Sequence, residues 1–264
     1  MTASLLTGVP TGTPRADTEP AAPALLQLVR VELRKSYDTR AGRWLLLVIG
    51  LGALAIVALP WFAHDAARTF GSYLSLTQIP VGVLLPVLGV LLVTSEWSQR
   101  TAMTTFALVP RRSRVLTAKL LAASALAVLG VVASIVAAAV GTLLTPALTD
   151  SALDWQTSGA QLGQVVLLQV LYGLAGVALG VLLLNSPLAI VLYFVLPTAF
   201  TILVNTVSTL EWVRDWLDLS TTTLPMYDGR LDAQGWLQLA TSAALWIGLP
   251  MVVGWRRICR AEIA

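Results

Sequence analysis

The sequence predicts an all-α, polytopic membrane protein: a six-transmembrane-helix bundle with both termini cytoplasmic. Three observations predict it. First, 56% of the 264 residues are hydrophobic and only 12% are charged, against roughly 25% charged in an ordinary soluble domain. Too few charges remain to coat a soluble surface, and the mean hydropathy is +0.78. Second, the chain holds charge-free windows of the length a helix needs to cross hydrocarbon, about 20 residues. Third, the basic residues segregate to alternate connections between those windows, the pattern that sets membrane orientation.

Along the chain, residues 1–23 carry Pro10, Pro14, Pro20 and Pro23 among small polar residues, the composition of a disordered cytoplasmic lead. From residue 24 the pattern changes. Leu25, Leu26, Val29 and Leu33 fall at helical spacing beside Arg30, Arg34 and Lys35. That pattern predicts an amphipathic interfacial helix within 24–43. The transmembrane domain, 44–255, follows, with spans expected near 44–63, 78–95, 120–145, 161–184, 187–207 and 235–254. The fourth and fifth come from one 56-residue window without charge, 155–210, broken at Asn185-Ser186-Pro187. Proline lacks a backbone donor, disfavours helix in the residue before it, and follows two turn-forming residues here. Period-2 alternation is absent, which argues against a β-barrel. Trp44 with Trp61, and Trp236 with Trp255, bracket the first and last spans. At 1.5 Å per residue each pair is about 25–28 Å apart, near the hydrocarbon thickness. Pro80, Pro86, Pro197 and Pro250 fall inside expected spans as candidate kinks.

Six crossings put residues 1–43, the segment 96–119, the turn at 185–187 and the tail 256–264 on one side. These hold 14 of the 17 basic residues; Arg68, Arg214 and Arg230 are the other three. The positive-inside rule makes the rich side cytoplasmic. With the acidic residues counted, that side carries +8 and the other −5. Fifteen arginines against two lysines, with abundant Ala, Leu and Val, point to a GC-rich bacterial genome.

Several chemistries are excluded by residue type. Neither lysine follows a glycine, so no P-loop exists to cradle ATP phosphates. His64 is the only histidine, which excludes H-E-x-x-H and multi-histidine zinc sites. It lies at the edge of the first span beside Asp65 and reads as a surface residue. Cys259 is the single cysteine and reads as a reduced cytoplasmic thiol. No catalytic group, metal or other cofactor is expected, and a charge of +3 is too small to imply nucleic acid. No Asp, Glu, Lys or Arg falls mid-span, which weighs against an ion-coupled pump. Gly173, Gly176 and Gly180 make a small-residue face on the fourth span, suited to close helix packing.

The most informative stretch is 96–119: Glu96-Trp97 at the end of the second span, then Arg100-Thr101, Thr104-Thr105, Pro110, Arg111, Arg112, Arg114 and Ala118-Lys119 opening the third. Residues 97–109 have room for a short interfacial helix ending before Pro110. This stretch resembles the permease subunits of type-2 ABC exporters. That family shows a Glu-aromatic pair, Gly-Thr, a Thr/Leu-rich stretch, Pro-x-x-Arg and Ala-Lys in this order. Arg100 stands where the family often has glycine. Glu32-Leu33-Arg34-Lys35 and the six-span hydropathy resemble the family too. The motif covers about 24 residues, and the architecture covers most of the chain.

The resemblance implies a permease in the cytoplasmic membrane, a homodimer or a pair with a related permease, coupled to two cytoplasmic ATPase subunits. It would export substrate without hydrolysing ATP itself. Glu96, Trp97, Arg100, Thr101, Pro110, Arg111, Arg112 and Arg114 become the expected ATPase contact and coupling residues. The bland alternative is that the arginines only fix topology and bind anionic headgroups. A non-transporting six-span scaffold or immunity protein, or a secondary transporter, is the competing reading of the whole chain. The external segment 208–234, with Glu211, Trp212, Arg214, Asp215, Trp216 and Asp218, suits either an interfacial helix or a surface loop.

Overall fold

A computed structural model describes residues 24–99 and 111–260. The lead expected over 1–23, the motif residues Arg100, Thr101, Thr104, Thr105 and Pro110, and most of the helix expected at 97–109 lie outside the described residues. Every regular element within them is helical. Among the described residues six helices are long and apolar enough to cross a membrane; the chain is a multi-pass, all-α membrane protein.

The helix α1 (Leu25–Asp38) precedes α2 (Arg40–Ile56) and the short α3 (Leu59–Phe62), which complete the first span. Then come α4 (Phe70–Ser98), α5 (Arg112–Leu148), α6 (Gly159–Leu183) and α7 (Ser186–Thr206), which are spans two to five. Two short helices, α8 (Glu211–Leu217) and α9 (Leu219–Thr223), cross the far end. The sixth span is α10 (Ala233–Ala243), a π-helical turn (Ala244–Gly248) and α11 (Leu249–Arg260).

Local chemistry sets the breaks. Thr39, Thr69 and Ser158 each cap the next helix, accepting from Gly42, Ser72 and Gln161 backbone N–H groups at 3.0–3.1 Å. The turn expected at 185–187 is present: α6 ends at Leu184 in the left-handed conformation, and Asn185 caps α7 with Pro187 in its first turn. At the elbow between α1 and α2, a Cβ on Gly42 would overlap the Ser36 carbonyl, so only glycine fits. Helices α4 and α7 continue through Pro80, Pro86 and Pro197. The π turn ends two residues before Pro250, whose ring disfavours an ordinary α-turn against the carbonyl four residues back.

Spans two, three and four form the core: 56%, 44% and 56% of their apolar windows are buried. Spans one, five and six wrap it at 22%, 11% and 17%. Gly176 lies against the Pro86 backbone, where any Cβ would overlap the carbonyl. Gly173 and Gly180 lie on the same side of α6, packed against α4 and α5. This is the small-residue packing mode of membrane helices. Of the four bracketing tryptophans, Trp44 and Trp236 face outward. Trp61 and Trp255 turn partly into the bundle and pack on core clusters.

The helices overrun the expected windows at the basic end. Span two extends to Ser98 and span three begins at Arg112, so Glu96 and Lys119 sit inside helices rather than at their edges. Hydropathy windows stop at charges, and these charges are neutralised within the protein.

Candidate functional site

At the basic end, four charged residues from three helices meet. Glu32 projects from α1 on the buried face it shares with Val29 and Ser36. Lys119 projects from α5, and its ammonium is satisfied three times over. It donates to Glu32 Oε2 at 2.7 Å, to the Leu92 carbonyl at 2.7 Å, and lies 3.2 Å from Glu96 Oε1. Lys35 completes the ring, donating to Glu96 Oε1 at 2.6 Å and Glu32 Oε1 at 2.9 Å. Among the described residues, two carboxylates and two ammoniums of the cluster balance in charge.

Glu32, Glu96 and Lys119 are each less than a tenth exposed, whereas the Lys35 side chain is 42% exposed. Charges this buried persist only when paired and hydrogen bonded. Lysine suits the position: three rotatable donors on a compact ammonium match three converging acceptors. Burial opposes the charge on Lys35, but Glu32 and Glu96 together outweigh it and raise its pKa above the ordinary lysine value.

Around the cluster the basic end is tied together. Ser186 at the start of α7 donates to Thr94 Oγ1 of α4 at 2.7 Å. Arg112 donates to the Ile258 carbonyl of α11 at 2.7 Å, and Arg257 of α11 donates to the Leu182 carbonyl of α6 at 3.1 Å. A cavity of ≈170 Å³ beside Glu32 and Lys35 is lined also by Thr39, Ser95 and Ser186.

The expected site residues divide. Glu96 points into the cluster. Trp97 is half-buried and packs on the main core. Arg111 is exposed immediately before α5, Arg112 holds α11, and Arg114 is half-buried on the first turn of α5. Glu32, Lys35 and Lys119 were visible in the sequence as motif members, but nothing there joined them. One signal was available: the chain has only two lysines, and both are in this cluster.

The opposite end is capped by the 208–234 segment, which is folded onto the bundle. Gln161 donates to the Gly71 and Tyr227 carbonyls at 3.0 and 2.9 Å. Ser75 donates to the Tyr227 carbonyl at 2.8 Å, and Trp246 Nε1 to the Leu217 carbonyl at 2.7 Å. Thr222 and Ser242 share a buried bond of 2.7 Å. Leu219, Met226, Leu168 and Leu239 close a small core beneath them. Among the described residues no group of three metal-ligating side chains occurs.

No family profile matches the chain, and no curated protein sequence matches it significantly.

Proposed function

We propose that this multi-pass membrane protein is the permease subunit of an ATP-driven exporter of the type-2 ABC class, with its basic end facing the cytoplasm. One observation carries the reading. Three of the short motifs behind the resemblance, Glu32-Leu33-Arg34-Lys35, Glu96-Trp97 and Ala118-Lys119, lie apart in sequence yet supply the four members, among the described residues, of one largely buried ion cluster. The cluster joins α1, α4 and α5 at the two ends of the 99–111 connection. A push on that connection by a partner ATPase is therefore delivered to three helices together. A network of short ion pairs inside a packed bundle shifts as a unit or breaks, which suits transmission of a discrete closure.

On this reading two copies, or this chain and a related permease, work with two cytoplasmic ATPase subunits. Exposed Arg111 and its neighbours offer charge-directed contacts to an acidic ATPase groove. The ATP chemistry stays in the partner, since this chain has no phosphate-binding loop.

The test is purification of the tagged chain in mild detergent from its native membrane. Co-purification of a P-loop ATPase whose turnover rises on reconstitution supports the reading. Arg111→Glu is expected to weaken the complex while leaving the melting temperature unchanged. A chain that captures no ATPase, and whose activity tolerates that reversal, is a scaffold instead.

A further inference from the structure

At the opposite end of the bundle lies a cavity of ≈260 Å³ between spans two, four, five and six. Five aromatic rings line it: Tyr172, Tyr193, Phe194, Tyr227 and Trp246. These rings are held in place. The Trp246 indole N–H is fixed on the Leu217 carbonyl, and Phe200 meets its ring edge-to-face at 5.3 Å. Tyr193 and Phe194 stand at 87° with centroids 5.1 Å apart. The Tyr172 hydroxyl meets Thr223 Oγ1 at 3.2 Å. Trp246 sits at the centre of the π turn, a distortion that proteins favour at functional positions.

The electrostatics have one sign. Among the described residues no charged side chain lines the cavity. Burial raises the Tyr227 pKa, so its phenol stays neutral. Asp218 is 1% exposed and directly precedes the wall residues Leu219 and Ser220. Its carboxylate accepts from Thr201, Thr221 and the Ser220 backbone N–H at 2.7–3.2 Å, and it joins no ion pair among the described residues. Gln169 lies behind the wall at Gly82, and its Oε1 has no partner among the described residues. A ring-lined cavity beside an unneutralised carboxylate attracts cations and repels anions. With no basic group on its walls, it has nothing to hold a lipid phosphate. The far-end segments carry −5 by sequence, which concentrates cations at the approach.

The geometry points to this cavity as a binding site for a free lipophilic organic cation, of the quaternary ammonium or phosphonium type. Ile79 and Val83 on its wall are about half exposed on the apolar face of α4, a route by which such a compound reaches the cavity from the bilayer side. The site belongs to this chain alone and does not depend on an ATPase partner.

Tetraphenylphosphonium and tetraphenylborate share size and shape but differ in sign, so they are the probes. Binding to the purified full chain in maltoside micelles is measured by equilibrium dialysis, with protein-free micelles subtracted. Saturable binding of the phosphonium, with none of the borate, is expected. Val83→Trp fills space at the wall and Tyr193→Leu removes a ring; each is expected to weaken phosphonium binding about tenfold. Asp218→Asn keeps the backbone cap and removes the charge, with roughly threefold weakening expected. Val191→Trp, exposed elsewhere on α7, is expected to change nothing. If Val83→Trp fails to fold, Tyr193→Leu decides. Equal binding of both probes, non-saturable uptake only, or phosphonium binding unmoved by the wall variants overturns the proposal. Loss of ATPase association would leave this result untouched.

Discussion

Replacing Lys119 with methionine keeps the stem volume and deletes one buried positive charge. The Lys119 ammonium stands 2.7 Å from Glu32 Oε2 and 3.2 Å from Glu96 Oε1. With an effective dielectric of about 20, these pairs attract by about 6 and about 5 kcal/mol before desolvation. Taking each ion from water costs several kcal/mol, so the intact cluster contributes little net stability. Removing one member is a different matter. Two carboxylates, each under a tenth exposed, then lose an ammonium partner, and the Leu92 carbonyl loses the lysine donor. Breaking a buried pair in this way costs about 3–5 kcal/mol. The assay is reversible unfolding of the purified chain in mixed micelles. Glu32→Gln added to Lys119→Met restores neutrality and is expected to recover at least half of the loss, as a double-mutant cycle reads it. The reference is Arg34→Ala, which removes the pair with Asp38 at 3.1 Å, both side chains more than half exposed, and is expected to cost under about 1 kcal/mol. If Lys119→Met costs no more than Arg34→Ala, or if Glu32→Gln recovers nothing, the cluster does not couple these helices as described.

The remaining predictions follow from separate features. Gly176→Leu forces side-chain atoms into the Pro86 backbone and is expected to destabilise by at least about 3 kcal/mol or abolish folding. Gly50→Ala, which meets nothing within 4 Å, is expected to be neutral or stabilising by up to about 1 kcal/mol; unfolding curves of the pair check both. Gln161→Leu removes the bonds to Gly71, Ser75 and Tyr227. Its expected signature is faster amide exchange at 224–231 by mass spectrometry, with a stability loss of about 1–3 kcal/mol. The pH response of Lys35 has a definite sign. Its folded pKa is raised above the unfolded 10.5, so its contribution is full below about pH 10.5 and fades as pH rises through the folded value. Lys35→Met is expected to flatten that alkaline limb of the stability curve, as unfolding measured across pH checks.

The break between spans four and five was legible because Asn185, Ser186 and Pro187 act locally: a cap, a helix start and a missing donor need no distant partner. Hydropathy located all six spans for a similar reason, since a helix satisfies its own backbone and needs only apolar length. The helices of spans two and three run on past the expected windows, through Glu96 and from before Lys119. A charge reads as an interface until its partner is known, and here the partners come from α1, more than 60 residues away in sequence. The far-end segment left two readings open, because whether 208–234 lies on the surface or caps the bundle depends on Gln161, Ser75 and Trp246 in other helices.

Sequence alone determined the class of molecule, the number of crossings and the segregation of 14 basic residues to one set of connections. These are sums over local properties, and apolar length and charge count are fixed before the chain folds. Tertiary structure decided that the two lysines and two of the glutamates form one ion cluster, and that five aromatic rings line a cavity near the buried Asp218 carboxylate. Both depend on which helix faces which. That choice was made by the close approach of α4 to the glycines of α6, a steric fit that hydropathy does not contain.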